Sequence, residues 1–471
     1  MIFSVDAFVD KQAELTYDGC TMKVLLVHPR MDGVEPPIRR TESLGLGYIA
    51  AVLRRDGLEV EMLDAYLRAM GHEEMMREIL SRDFDVLGLT AYDVHKHTLM
   101  DIARTVRKKK KAVIIGAGGY FPTFAGEKLL AACPDLDFII RGEGETVASE
   151  VFGRIARSEE WRDVSGVAYL NDGVPVLNAL PPLVQDLDSL PFPARDEINR
   201  VERGLPALIL SSRGCYHRCA FCSIPSFYAL HGGHAPRYRS PENLLDEIET
   251  VIRTTGINEF VFADDNFIGP GQKSRDRVYR IADEMKARKL DFTFTIEARV
   301  DEIDEDILKL LKEVGLTRVF MGIESGIQQQ LDRYNKRTTV EQNKRAIEMV
   351  RGLGLGFYAG FIMIDPYTTL GELVENVQFV RDMRLSEEPG RLPLEFMSRL
   401  GLYGGVPIIN KLRADGLLRE KGMNRTYVFK HWSFRVIAGT ASVLAAVMDF
   451  VRHPAGFLRR LFGRQSSAYS E

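Results

Sequence analysis

Long apolar runs fit to cross a bilayer are missing from this chain of 471 residues, as are a cysteine-rich composition and a marked charge imbalance. The segment VIAGTASVLAAVM, between Arg435 and Asp449, holds 13 uncharged residues, too few for a span of about 20. It reads as a packing helix with a solvated basic end, FLRRLFGR. Peripheral membrane contact by an interfacial helix is the less favoured alternative. Five cysteines cannot form an even disulfide framework, which fits a reducing cytoplasm better than secretion. The net charge of −4 argues against a general nucleic-acid binder. The N-terminal MIFSVDAFVDKQAEL has no basic start, and Asp6 and Asp10 interrupt its apolar run, so it reads as an extension over residues 1–21 rather than a signal peptide. No short-period repeat is present.

What remains is a soluble globular composition, 45% apolar and 27% charged, long enough for two or three cores. Between residues 22 and 180, near-continuous β-branched runs such as KVLLVHP, DFDVLGLTAY and KAVIIGAGG alternate with amphipathic helical patterns. That alternation predicts a doubly wound parallel sheet, which binds ligands at the carboxyl ends of its strands. Residues 181–204 form a linker in which Pro191 and Pro193 favour extended chain. The alternation restarts over 205–402 with six strands, from PALILSSRG to LPLEFMSRL, each followed by a helix except the last. This predicts a β/α barrel or partial barrel with its site at the strand tops. Residues 403–471 read as a mainly helical C-terminal region.

Three of the five cysteines, Cys215, Cys219 and Cys222, lie just after the strand ALILSS. A structural zinc needs four donors, and His217, His231 or His234 could complete a Cys3His set. A closed ferredoxin-type cluster needs a fourth cysteine, but Cys20 and Cys133 belong to the other predicted domain. Three thiolates on a 4Fe-4S cluster would instead leave one iron open to a ligand.

The stretch RGCYHRCAFC, with an aromatic before its third cysteine, resembles the signature of the radical S-adenosylmethionine superfamily. The resemblance implies that the three cysteines are catalytic metal ligands to a 4Fe-4S cluster. Its open iron would chelate S-adenosylmethionine, whose cleavage yields a 5′-deoxyadenosyl radical. It further implies that Asp264 and Asp265, in FADDNF, meet the methionine amino group. Glu297 and Arg299, in TIEARV, resemble the pair that meets the methionine carboxylate and ribose, while Glu324 and Ser325, in MGIESG, are candidate ribose partners. Each acid alone reads as a helix cap or solvated loop; their positions at successive strand ends give the pattern its weight. The fifth strand departs from the family: DPYTTLGEL stands where a Gly-rich turn is usual, leaving the adenine contact open.

The first domain, with LGLGYIAAVLRRDGLEVEMLDAY, GLTAYD, GAGGYFPT and RGEGE, is similar to the cobalamin-binding domain found ahead of the radical domain in one branch of that superfamily. Gly116, Gly118 and Gly119 would let backbone approach a corrin or its nucleotide tail. The Asp-x-His-x-x-Gly loop that ligates cobalt from below in many cobalamin proteins is absent, the loop reading HPRMDGVEP. The resemblance therefore implies three cofactors: a 4Fe-4S cluster, S-adenosylmethionine and cobalamin. The activity it implies is methylation of an unactivated carbon in a small biosynthetic intermediate, with flavodoxin or ferredoxin as electron donor. Radical dehydration, epimerisation or rearrangement on a cobalamin-free scaffold is the alternative. A metal-binding or electron-transfer protein is a third reading, from another class.

Overall fold

The computed structural model describes residues 21–31, 40–198, 201, 204–233, 236–385 and 398–436. The first half runs β1 (Lys23–His28), α1 (Leu44–Arg55), β2 (Glu59–Asp64), α2 (His72–Ser81), β3 (Val86–Thr90), α3 (Lys96–Lys109), β4 (Ile114–Gly118), α4 (Tyr120–Ala132), β5 (Phe138–Ile140) and α5 (Glu145–Ala156). A hairpin of β6 (Val167–Asn171) and β7 (Val174–Leu177) completes it. Strand order is β2-β1-β3-β4-β5-β6-β7, parallel through β5 and antiparallel thereafter. Helices cover both faces, so β1 is buried over nearly all its length. The chain reverses direction across the sheet between β1 and β3, the kind of point at which doubly wound sheets open a crevice.

The second half holds β8 (Ala207–Ile209), β9 (Ser212–Arg213), α6 (Ile224–Ala229), β10 (Arg237–Tyr238), α7 (Pro241–Thr255), β11 (Glu259–Phe262), α8 (Gly271–Arg288), β12 (Thr293–Arg299), α9 (Glu305–Glu313), β13 (Leu316–Glu324), α10 (Gln328–Arg333), α11 (Val340–Gly352), β14 (Gly356–Phe361) and α12 (Leu370–Asp382). Five strands form one parallel sheet in the order β14-β13-β12-β11-β8. Local signals set the helix limits. Ser240 caps α7 ahead of Pro241, with Gly256 in the left-handed region closing it, and Thr369 with Glu372 forms a capping box on α12. Among the described residues no ladder joins β8 to β14, so the sheet is a partial barrel. The expected sixth strand, LPLEFMSRL, falls largely outside the described residues; within them Arg399 bridges Ile364 in parallel.

The region after 402, expected to be mainly helical, holds a hairpin as well as helix within its described residues. Following α13 (Ile408–Ala414), its described residues form an antiparallel hairpin, β15 (Leu418–Lys421) with β16 (Asn424–Tyr427), turning at Gly422 with φ +59°. The apolar tail segment lies outside the described residues apart from its first residue, Val436. Among those residues no helix is long and apolar enough to cross a membrane.

The linker joins the halves through buried charge. Arg195 pairs with Glu42 of the first half and with Glu247 on α7 at 2.6 Å, and the Leu208 amide donates to Glu42 at 2.9 Å.

Candidate functional site

The cysteine loop starts where β9 ends. Gly214, at φ +97°, turns the chain in a region closed to most side chains. Its amide donates to Asp265 Oδ2 at 2.8 Å. The loop is then fastened from below: the Ala220 amide donates to the Tyr334 carbonyl at 2.7 Å, the Ile408 amide to the Ala220 carbonyl at 2.8 Å, and Asn335 Nδ2 to the Arg218 carbonyl at 2.8 Å. Cys219 is buried, Cys215 and Cys222 are partly so, and all three are free thiols. Burial, and then the neighbouring thiols and Asp265, push Cys215 up to about 11 and Cys222 up to about 12. Ionising such a group of thiols calls for a shared cation, so the donor set fits a thiolate-bound metal centre.

Among the described residues, no three His, Cys, Asp or Glu side chains converge to hold a metal ion between them. The candidate fourth donors are turned elsewhere. His217 Nε2 lies 3.7 Å from Glu302, and His231 Nδ1 meets the Pro181 carbonyl at 2.7 Å. His234 lies outside the described residues. The geometry gives the Cys3His zinc expectation no support.

The carboxylates at the strand ends divide into two kinds. Asp264 is fully buried and accepts from the Ser211 amide at 3.2 Å, from Ser211 Oγ at 2.7 Å and from Ser212 Oγ, leaving no face for a ligand. Ser325 is likewise closed in. Its hydroxyl is engaged with Gln330 Oε1 at 2.6 Å and Asn376 Oδ1 at 3.1 Å, and it accepts from the Ile327 amide at 3.0 Å. Both residues, expected at the cofactor, are engaged with protein groups in this structure. Asp265 lines a cavity, and burial pushes it up to about 6. The Glu297 carboxylate has no hydrogen-bond partner among the described residues, and burial, then Asp265 and Asp264, push it up to about 7. Glu324, at φ +60°, pairs with the buried Lys336 at 3.0 Å. Arg299, expected to meet ligand, is committed to the protein: it donates to Cys219 Sγ at 3.6 Å and to the Lys336 carbonyl at 2.6 Å, and pairs with Asp301 at 3.0 Å.

That cavity, of about 650 Å³, lies between the two sheets. Its first-half wall is the carboxyl edge of β1, β3 and β4, including His28, Thr90, Gly116, Gly118 and Gly119; its second-half wall includes Leu210, Arg213, Ala263 and Asp265. Two features fit a large flat cofactor. Bare backbone at Gly116, Gly118 and Gly119 lines the cavity, and at Gly116 a Cβ would lie 2.3 Å from the Phe138 ring that lines it too. His28 is 5% exposed; its Nδ1 is held by Asp64 at 2.9 Å, and its buried Nε2 has no partner. A His braced by a carboxylate on one nitrogen and bare on the other has the form of a metal-facing imidazole, although the sequence here has no ligand motif.

Several residues at this site escaped the sequence reading. Glu143 of RGEGE accepts from Arg237 at 2.6 and 2.9 Å and from Arg213 at 3.4 Å, while Arg213 also reaches Glu145 at 2.7 Å. These buried pairs stitch the first sheet to the cysteine loop. Tyr120 of α4 packs its ring 4.5 Å from Phe227 of α6 and is stacked on Tyr92. The charges of RGEGE were visible in sequence; their partners, 68 to 94 residues away, were not.

Comparison with known proteins agrees with this arrangement. A B12 binding domain model matches residues 39–152 and a radical SAM superfamily model matches residues 209–380. An uncharacterised methyltransferase of Pyrococcus horikoshii is 29% identical, over 77% of this chain and 78% of its own. The anaerobic magnesium-protoporphyrin IX monomethyl ester cyclase of Rubrivivax gelatinosus is 28% identical, over 77% of this chain and 66% of its own. The fold is also that of OxsB, a cobalamin-dependent S-adenosylmethionine radical enzyme solved with aqua-cobalamin and S-adenosylmethionine bound. The TM-score is 0.73 at 23% identity, over 91% of this chain and 66% of that one. The chain thus spans about two thirds of the length of the latter two proteins.

Proposed function

Because the chain belongs to the radical SAM superfamily and carries a B12 binding domain ahead of the radical domain, we propose that it methylates an unactivated carbon of a small molecule. The observation that carries this reading is the single cavity shared by the Gly116–Gly119 strand end and the flank of the cysteine loop at Arg213. When bound, the 4Fe-4S cluster supplies the electron that splits S-adenosylmethionine into methionine and a 5′-deoxyadenosyl radical, and cobalamin supplies the methyl group.

Cys215, Cys219 and Cys222 would hold the cluster, three thiolates leaving its fourth corner to S-adenosylmethionine. Asp265 and Glu297, half-buried acids close enough to repel one another, suit the cationic amino group and the ribose hydroxyls of that ligand. Glu324 would stand beside them, held by Lys336. Asp264 would act indirectly, fixing Ser211 and Ser212 beneath the loop. Gly116, Gly118 and Gly119 would floor the corrin site, with His28 facing it. The aromatic wall of Tyr92, Tyr120 and Phe227 would exclude water from a radical formed between the sheets. The chain would act in the cytoplasm with a small-molecule substrate and an electron donor of flavodoxin or ferredoxin type. Residues 22–180 and 205–402 would be the two functional units, joined by 181–204.

The test is anaerobic reconstitution with iron, sulfide and hydroxocobalamin, followed by desalting and metal analysis. About four irons and one cobalt per chain are expected, with reductive release of 5′-deoxyadenosine that Cys215→Ala, Cys219→Ala and Cys222→Ala each abolish while remaining folded. Iron and cleavage without retained cobalt would overturn the methylation reading in favour of radical chemistry without methyl transfer. Cleavage retained in any cysteine variant would overturn the cluster assignment itself.

A further inference from the structure

The role of Arg299 goes beyond the assignments above. Arg299 is 6% exposed and its guanidinium is engaged on three sides: Nη2 donates to the Lys336 carbonyl at 2.6 Å and to Asp301 Oδ2 at 3.3 Å, Nε lies 3.0 Å from Asp301 Oδ1, and Nη1 donates to Cys219 Sγ at 3.6 Å. The Lys336 carbonyl is presented by an unusual loop in which both flanking residues, Asn335 at φ +49° and Arg337 at φ +58°, occupy the left-handed region without being glycine. Strain of that kind survives where surrounding structure enforces it, and it clusters at functional sites. Here it is enforced by the Tyr334 carbonyl accepting from Ala220 and by Asn335 holding the Arg218 carbonyl, both of which clamp the cysteine loop. The same strained loop therefore fixes the loop that carries Cys219 and the arginine that points at its sulfur.

An N–H···S bond from a cation to a cluster-ligating sulfur stabilises the more negative, reduced state of an iron–sulfur cluster and so raises its potential. We propose that Arg299 is a positioning residue of this kind, setting the cluster's reduction potential through Cys219 rather than gripping the carboxylate of S-adenosylmethionine. The proposal rests on the cluster reading above. It assigns the cationic partner of the sulfonium ligand's carboxylate to some group other than Arg299, whose fork is already committed.

The test is an equilibrium redox titration of the anaerobically reconstituted full-length protein, followed by electron paramagnetic resonance of the reduced cluster, without S-adenosylmethionine. Arg299→Met is expected to shift the midpoint to more negative potential, and Arg299→Lys, which keeps the charge but loses the planar fork, to shift it less in the same direction. Asp301→Asn leaves the N–H···S bond and removes a compensating negative charge, so it is expected to shift the midpoint the other way. That variant also serves if Arg299→Met fails to fold. An unchanged midpoint in Arg299→Met at full iron content, or a negative shift in Asp301→Asn, would overturn the proposal while leaving the cluster reading intact. So would weakened binding of S-adenosylmethionine at an unchanged midpoint, which would return Arg299 to the carboxylate. A wild-type protein that takes up no iron would overturn both.

Discussion

Glu143→Ala tests whether buried charge holds the two sheets together. Glu143 is 8% exposed and receives both terminal nitrogens of Arg237, itself 8% exposed, at 2.6 and 2.9 Å, together with the Val184 amide at 3.2 Å. Removing the carboxylate leaves Arg237 charged and enclosed, with the Val184 carbonyl, the face of Tyr228 5.3 Å away and the more distant Asp265 to offset it. Breaking a buried pair from one side costs about 3–5 kcal/mol. At about 2–4 °C per kcal/mol, that corresponds to a fall in Tm of roughly 6–20 °C. Arg213 keeps Glu145, so the loss is centred on Arg237. Urea unfolding followed by fluorescence is a suitable assay: Trp161 is buried in the first half, while Trp432 is 76% exposed and adds a steady background. The double variant Glu143→Leu with Arg237→Met should recover most of the loss, because two apolar groups of similar size replace a buried pair at little cost. A loss below about 1 kcal/mol in the single variant, or additive losses in the double, would refute the view that this pair stitches the halves together.

Two other perturbations separate the cavity from the fold. A Cβ at Gly118 would meet the Ile140 carbonyl at 3.6 Å and the Ile140 Cβ at 3.9 Å, both ordinary contacts; Gly118→Val should therefore fold normally and still cleave S-adenosylmethionine, yet lose cobalt on desalting more readily than wild type. Glu297 in the cofactor-free protein should make stability depend on pH: its carboxyl is pushed up to about 7 from an ordinary value near 4.5, so the folded state holds the extra proton in that window. Stability then falls as pH rises from about 4.5 to 7, by up to about 3 kcal/mol. Glu297→Gln should flatten that part of the profile in denaturant titrations at several pH values; an unaltered slope would show that the acid titrates normally.

The fold was legible because its signals are local. Buried β-branched strands alternating with amphipathic helices announce parallel sheets, and Ser240-Pro241 or Thr369 with Glu372 mark helix starts within a few residues. The cysteine loop was legible for the same reason, its spacing being contained in eight positions. Side-chain direction at strand ends was not. Asp264 and Asp265 are neighbours, yet one is sealed under Ser211 and Ser212 while the other lines the cavity. Ser325 follows Glu324, whose positive φ turns the chain inward and leaves the hydroxyl among Gln330 and Asn376. Nor could Arg299 be seen to spend its fork on Cys219, 80 residues away in sequence. The hairpin at Leu418–Tyr427 carried little signal beyond Gly422, because LREK and NRTY are poor in strand-favouring residues.

The two sheets each bind at carboxyl strand ends for the same physical reason: loops there carry the chemistry while the strands behind them stay rigid. Setting those ends face to face joins two shallow crevices into one half-open cavity walled by both halves. The groups that hold its walls together are long-range. Arg213 ends β9, just beyond β8, and it is fixed by Glu143 and Glu145 of the first half. Tyr120 of α4 reaches across to Phe227 of α6, just beyond Cys222. A reactive carbon-centred radical survives only where solvent and stray hydrogen donors are kept away, so the ion pairs and the aromatic contact would govern the chemistry without touching it. Loosening Glu143 should therefore cost coupling between radical formation and product before it costs cleavage of S-adenosylmethionine, since the cysteine loop is anchored separately through Tyr334, Asn335 and Ile408.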